Sequence, residues 1–566
     1  MSALSQGLVF EYTPANAGNF RDMAKVLLFV VGFLSTWNQI GLAQPPFPPS
    51  PVIDLGYAKY QGFFNETSQV TNFLGVRYAQ EPAGNLRWRA PVTPKKLGGI
   101  QTALSQPPQC FQGSTGIAAT NPIPIKQRRS ETVVFSEDCL MLNVYTPGHI
   151  SSVKKPLPVI FWIHAGGYVA GSATGFDGTE VYDGNELIRE AGRGVVVVVI
   201  QYRIGLLGFL SSAKVEANGD LNVGLLDQQF ALKWVQSHIH QFGGDRNHVT
   251  IWGQSAGAGS VIQHIIANGG QTQPPLFKGA ISSSTFLPSQ YRFDDQIPET
   301  MFSQIVNELN CTSSRNQLDC LRGLDAQTLQ VVNNATTLAA FFGTFNFIPV
   351  IDDSFIRERP TVALKQKKVN GEFYLAMSNT NEGTFFVDTS TENTVEVPAY
   401  LQNLFPGLSK TQVADAAAQY ANVGTPFTQV NAIMGEAIFI CPTYFALRSF
   451  AGKPTFKGHF AIPPAGHGND VAYYFPSTDG PRSFNNTAFD SAFPQIFFDF
   501  ARFFDPNVKF SPTITPQWHM WTNIGQSEML FNRTEAGAPV IRAISSDNAQ
   551  LKRCQFWESV SAVTAQ

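Results

Sequence analysis

Short apolar runs bounded by glycine-rich turns recur along this chain, at lengths that suit buried strands. Pro158-Val159-Ile160-Phe161-Trp162-Ile163 predicts one strand, Val249-Thr250-Ile251-Trp252 a second and Glu372-Phe373-Tyr374-Leu375-Ala376-Met377 a third, while Phe456 to Ala461 is strand-like. After the second run come Gly253-Gln254-Ser255-Ala256-Gly257-Ala258-Gly259-Ser260 and then Val261-Ile262-Gln263-His264-Ile265-Ile266, a pattern of strand, tight turn and helix. These elements predict an α/β fold: one large, mostly parallel sheet flanked by helices in a single domain.

The sharp turn carries the first chemical signal. A serine between two glycines at a strand-to-helix corner can adopt a strained backbone conformation with its Oγ exposed, so Gly253-Gln254-Ser255-Ala256-Gly257 reads as a nucleophile elbow. Taken alone, the same letters also fit a structural Ser/Gly turn. A serine hydroxyl is a poor nucleophile unless a base, an orienting acid and donors for the oxyanion surround it. His164-Ala165-Gly166-Gly167-Tyr168, directly after the first strand, supplies adjacent glycines whose N–H groups can face a substrate oxygen. Gly166, Gly167 and Ala256 are the candidate donors.

Of nine histidines, His467 is the candidate base. It lies between glycines in Ala465-Gly466-His467-Gly468-Asn469-Asp470 and completes the chain order serine, acid, histidine. His164 belongs to the donor segment, His238, His240 and His248 fall on or just after a helical stretch, and His264 lies on the helix after the elbow. His459 is the rival, read as a packed residue. Glu382, in the loop Ser378-Asn379-Thr380-Asn381-Glu382-Gly383 after the third strand, is the candidate acid. Asp352 or Asp353 is the alternative, in a segment that reads as a surface turn.

With these residues in view, the chain resembles the type-B carboxylesterases, a family that includes cholinesterases and secreted fungal lipases. The resemblance spans most of the chain. It rests on the elbow together with Phe73 to Ala79, Gly84 to Trp88, Ser136-Glu137-Asp138-Cys139-Leu140, Tyr202-Arg203, Gly224 to Gln228, Phe242-Gly243-Gly244-Asp245 and Asp505-Pro506-Asn507. It implies an α/β-hydrolase fold, a Ser255, Glu382 and His467 triad, an oxyanion hole of Gly166, Gly167 and Ala256, and hydrolysis of carboxylic esters without a cofactor or metal. The alternatives are an interfacial lipase acting on long-chain glycerides or sterol esters, and a non-catalytic binding protein of the same fold.

Two departures bear on substrate. Gln254 stands where many members have glutamate, and Arg128 and Arg129 fall near the position at which cholinesterase-like members carry a tryptophan that stacks on a quaternary ammonium. Two arginines repel such a cation, so choline esters are not expected substrates. The stretch Phe341-Phe342-Gly343-Thr344-Phe345 aligns with the acyl-pocket loop of those members. There Gly343 is expected to leave a pocket wall open for acyl chains longer than acetyl, with Phe345 beside it.

The chain of 566 residues shows no linker-like tract or internal repeat, and its 43% hydrophobic content and 46 phenylalanines are enough to fill a large core. A formal charge of −3 argues against a nucleic-acid partner. The partners implied are small-molecule or lipid esters, and the sequence leaves the oligomeric state open.

Met23-Ala24-Lys25, the apolar run Val26 to Leu34 and Gly41-Leu42-Ala43 have the order of a secretory signal. Residues 23–43 are read as that signal, residues 1–22 as an extension upstream of the true start or a long n-region, and residues 44–566 as the catalytic domain. No later hydrophobic run reads as a membrane anchor. Export agrees with six cysteines, an even number that allows fifteen connectivities. The family resemblance implies one of them: Cys110 with Cys139, Cys311 with Cys320, and Cys441 with Cys554. Sequons at Asn65, Asn310, Asn334, Asn485 and Asn532 are glycosylation candidates expected on surface loops.

Overall fold

The computed structural model describes residues 50–119, 135–175, 182–477 and 482–566. The leader assignment and the Arg128 and Arg129 segment lie outside the described residues.

Eleven strands form the main sheet: β1 (Phe63–Asn65), β2 (Val70–Arg77), β3 (Met141–Pro147), β4 (Leu157–Ile163), β5 (Val196–Ile200), β6 (Gly244–Gln254), β7 (Gly279–Ser283), β8 (Phe373–Asn379), β9 (Thr455–Phe460), β10 (Ser527–Arg533) and β11 (Pro539–Ser545). Their order across the sheet is β11-β10-β9-β8-β7-β6-β4-β5-β3-β2-β1. Neighbours from β5 to β10 are parallel, and the strands beyond them at both ends are antiparallel.

Both faces of β4 and β5 are covered, which is why these two strands are apolar without interruption. In β5, Val196, Val198 and Ile200 enter one core, while Val197 and Val199 enter the other. Strand β4 divides in the same way, with Val159, Phe161 and Ile163 opposite Ile160 and Trp162. Helices Val223–His238 and Ala256–Gly270 close the first face. Helix Thr487–Phe503 closes the second with Phe489, Phe493, Phe497 and Phe500, each contributing about 1.5–3 kcal/mol by burial. Much of the phenylalanine content is therefore core.

Several motifs that carry the family resemblance turn out to be braces. Arg77 pairs with both carboxylate oxygens of Asp138, and Arg87 grips Glu137 at 2.6 and 2.7 Å. Arg203 grips the fully buried Asp227 at 2.7 and 2.8 Å. Disulfides join Cys110 to Cys139, Cys311 to Cys320 and Cys441 to Cys554, the pairing the resemblance implies.

Three expectations need adjusting. Pro426–Ser449 is long and apolar enough to cross a membrane by composition, a run the sequence reading passed over, but 89% of its most apolar window is buried in protein. Of the sequons, Asn310 and Asn485 are exposed, while Asn334 lies within helix Ala326–Leu338 and Asn65 and Asn532 lie in strands, all three half-buried. His248 lies within β6, because that strand begins in the polar stretch before the apolar run.

Candidate active site

Strand β4 pairs with β5 on one side and β6 on the other, so the chain leaves the sheet in opposite directions at their carboxyl ends and opens a crevice there. Ile163 and Gly253 are register partners, which places His164 to Tyr168 beside the turn at Ser255. Ser255 has φ 55° and ψ −124°, a strained conformation for a residue with a side chain, and helix Ala256–Gly270 starts directly after it. The corner closes tightly. A Cβ on Gly253 would lie 2.3 Å from the Gly257 carbonyl carbon, and one on Gly257 would lie 2.1 Å from the Ile163 oxygen.

Two other parallel neighbours deliver the candidate base and acid. Asn379 of β8 and Phe460 of β9 are register partners, and Asn381 bridges Gly466 beyond them. Glu382 and His467 thus leave the sheet side by side, with His467 Nδ1 2.6 Å from Glu382 Oε2. Glu382 is 1% exposed, and its Oε1 accepts the Asn379 backbone N–H at 2.6 Å. Asn379 Nδ2 also donates to Asp470 Oδ1 and Ser284 Oγ, each at 3.0 Å. Burial, with the Glu382 charge nearby, pushes the Asp470 carboxyl up to about 6. Phe386 and Phe439 lie against the His467 ring, at centroid distances of 5.0 and 4.5 Å.

Gly166, Gly167 and Tyr168 have φ of 116°, 60° and 65°, a run of left-handed residues that curls the chain over the crevice. Among the described residues, the N–H groups of Gly166, Gly167 and Ala256 donate to no protein acceptor. The Ala256 N–H belongs to the first turn of its helix, where no intrahelical partner exists.

Ser255, His467, Gly166 and Gly167 line one cleft of about 1060 Å³ with Ile117, Leu338, Phe345, Phe385 and Phe386. No lysine, arginine, aspartate or glutamate lines it among the described residues. Phe345 lies so close to Gly167 that a Cβ there would meet its ring at 2.2 Å. On its other side Phe345 borders a second, largely apolar cavity of about 150 Å³.

Gly343 also lines that second cavity, though not by leaving a side-chain space empty. It has φ +76°, and a Cβ would lie 2.0 Å from the Phe386 carbonyl oxygen, so the Phe386 main chain fills that space. The rival acids also separate from the cleft. Asp353 is exposed and paired with Arg292, whereas Asp352, expected at a surface turn, is buried and accepts from Asn222 Nδ2 at 2.6 Å and Ile356 N at 2.8 Å. His459 bonds Thr380 Oγ1 at 2.9 Å, and desolvation with neighbouring Lys457 pulls it down to about 4. Burial alone lowers His264 to about 3, and its Nε2 meets Gln228.

Phe386, Phe439, Asn379 and Ser284 were not foreseen from the sequence as neighbours of the candidate base and acid. Phe439 comes from a π-helical turn, Glu436–Ile440, whose effect on side-chain direction no apolar periodicity reveals. Asp470 carried a signal, since it closes the loop segment that holds His467.

The parallel centre, the strained corner after β6 and the acid and histidine after β8 and β9 define an α/β-hydrolase. Residues 49–557 match the carboxylesterase family, and this chain belongs to that family and is a carboxylic ester hydrolase. Carboxylesterase patB of Penicillium expansum is 28% identical, covering 93% of this chain and 98% of that protein. Secreted lipase 1 of Botryotinia fuckeliana is 29% identical over 81% of this chain and 85% of its own. The crystal structure of Aspergillus niger EstA superposes with a TM-score of 0.78 at 30% identity, covering 91% of this chain and 99% of that one.

Proposed function

We propose that this chain hydrolyses neutral carboxylic esters through an acyl-enzyme on Ser255. The observation that carries the reading is that Ser255, at a strained corner, shares one cleft with His467, whose Nδ1 is held by buried Glu382. His467 Nε2 takes the Ser255 proton as Oγ attacks the ester carbonyl, and the oxyanion accepts from Gly166, Gly167 and Ala256 N–H. Collapse expels the alcohol, which receives the proton from His467. Water then attacks the acyl group, deprotonated by the same histidine, and Ser255 leaves with that proton.

Neutral substrates are favoured because the cleft presents no side-chain carboxylate or ammonium among the described residues. The test is turnover of a dissolved neutral ester. Ser255→Ala and His467→Ala each lower kcat by on the order of 10⁶, and the double variant falls no further. Retention of more than a few per cent by Ser255→Ala would overturn the assignment.

A second reading, hydrolysis at a lipid surface, draws on Ile117 and Phe385, which line the cleft yet are 62% and 58% exposed. Activity that rises sharply once the same ester is emulsified supports it; equal rates on both sides of the solubility limit reject it.

We further propose an extracellular setting, supported by three disulfides and by a relative named as secreted. N-terminal sequencing of protein from culture medium is expected to start near Gln44. A start at Met1 contradicts it.

A further inference from the structure

The Gly166 N–H belongs to the same planar peptide unit as the Ala165 carbonyl, so whatever fixes that carbonyl also fixes where the N–H points. Ala165 O accepts from His164 Nδ1 at 2.8 Å, and the His164 ring is stacked on Tyr202 at a centroid distance of 4.3 Å. Gly171 packs against the same oxygen. Its φ is +94°, and a Cβ there would lie 2.4 Å from Ala165 O and 2.8 Å from His164 Nδ1. Gly171 is in turn held from outside its own loop. Its N–H donates to Gln112 Oε1 at 2.9 Å, and the residue after Gln112, Gly113, donates its N–H to Val169 O at 2.6 Å.

Gln112 is buried and lines the cleft. A backbone N–H only donates, so Gly171 obliges Gln112 to present its carboxamide oxygen. Gln112 Nε2 then donates to Gln109 Oε1 at 2.6 Å, Gln109 Nε2 donates to Thr174 Oγ1 at 2.7 Å, and Thr174 Oγ1 lies 3.0 Å from Ser172 Oγ. The circuit leaves the loop after β4 at Gly171 and returns to it at Ser172 and Thr174. Gln109 and Gln112 flank Cys110, which the disulfide to Cys139 anchors. Resting on the ester-hydrolase reading above, we propose that Gln112 is a positioning residue that aims the Gly166 N–H at the oxyanion, acting through Gly171 and the Ala165 carbonyl.

Removing the carboxamide leaves the Gly171 N–H and Gln109 Oε1 without these partners, and buried polar groups in that condition move to find others. Gly171 carries Ala165 O with it, and the peptide plane turns the Gly166 N–H away from the oxyanion. The ester carbonyl of the ground state needs that donor little, whereas the charge that develops on its oxygen needs it most. The loss therefore falls on the tetrahedral state. A merely weakened fold has a different signature: fewer active molecules, each with its preference for a tetrahedral oxyanion unaltered.

The experiment measures kcat and KM on a dissolved neutral ester, and two inhibition constants, for wild type and Gln112→Met, with thermal melts reporting folding. Methionine keeps the side-chain length and loses both ends of the amide. One inhibitor is a trifluoromethyl alkyl ketone, whose carbonyl carbon is attacked by Ser255 Oγ as His467 removes the proton, leaving the ketone oxygen as an oxyanion. The other is the methyl ketone of the same chain, which stays trigonal. Wild type is expected to bind the fluorinated ketone more tightly. In Gln112→Met, kcat is expected to fall by about ten- to a hundredfold with KM within about threefold of wild type. The inhibition constant of the fluorinated ketone is expected to rise in step with the loss in kcat/KM, while that of the methyl ketone holds. A fluorinated-ketone constant unchanged in Gln112→Met, with wild type preferring that ketone, overturns the inference and leaves the reading intact. No preference for the fluorinated ketone in wild type, or an active Ser255→Ala, overturns the reading itself. If Gln112→Met does not fold, Gln112→Asn, which draws the same amide back by one methylene, decides by the same pair of constants.

Discussion

Gly257 rests against Ile163 so closely that a methyl group on its α-carbon would lie 2.1 Å from the Ile163 carbonyl oxygen. That contact ties the helix after Ser255 to the carboxyl end of β4, where the Gly166 and Gly167 N–H groups begin. The spacing between Ser255 and the proposed oxyanion donors is thus set by the absence of one side chain.

Gly257→Ala is expected to force the helix away from β4, destabilising the protein by about 1–3 kcal/mol, as overpacked sites do. It is also expected to lower kcat more than KM changes, since donors displaced by a fraction of an ångström miss the oxyanion. Denaturant unfolding and steady-state kinetics on the same preparation check both. Wild-type stability together with wild-type kcat would contradict the packing argument.

Asp470 predicts a pH effect on stability. Its folded-state pKa, about 6, lies above the usual 3.8, so between these values the folded protein retains a proton that the unfolded chain releases. Its burial therefore costs stability increasingly as pH rises from about 4 to 6, reaching on the order of 3 kcal/mol above that window. Asp470→Asn, which still offers an acceptor to Asn379, is expected to raise stability relative to wild type at pH 7 and to match it at pH 4. Urea midpoints at the two pH values measure this. An equal difference at both would reject it.

The buried pair of Arg203 and Asp227 predicts a non-additive cycle. Removing either partner alone leaves an uncompensated buried charge, so Arg203→Met is expected to cost about 3–5 kcal/mol. The double variant Arg203→Met with Asp227→Leu is expected to cost less than that single change. A double variant at the sum of the two single losses would contradict coupling.

The elements that build the crevice were legible because their strands are buried on both faces and so announce themselves as short apolar runs. His467 could be chosen from chain order and its flanking glycines. What stayed hidden depends on chain segments meeting in space. The contact between Gln254 and His467 joins residues 213 apart in sequence. The polar start of β6, Asp245 to His248, lies outside the apolar run and so hid His248 within a strand. At Gly343 the sequence could not show that main chain fills the space a side chain would take, although the residue does line the apolar cavity beside Phe345. The motif pairs Arg77 with Asp138 and Arg87 with Glu137 read as family markers in the sequence, and only their geometry shows them to be ion pairs.

The proposed mechanism turns on a covalent bond between Ser255 Oγ and the acyl group. A neutral phosphonate ester that mimics the tetrahedral intermediate, followed by mass spectrometry of the digested protein, addresses it directly. One phosphonyl adduct per chain is expected, on Ser255, with activity lost in proportion to labelling and no labelling of Ser255→Ala. An adduct on another residue, or full activity with Ser255 completely modified, would contradict it.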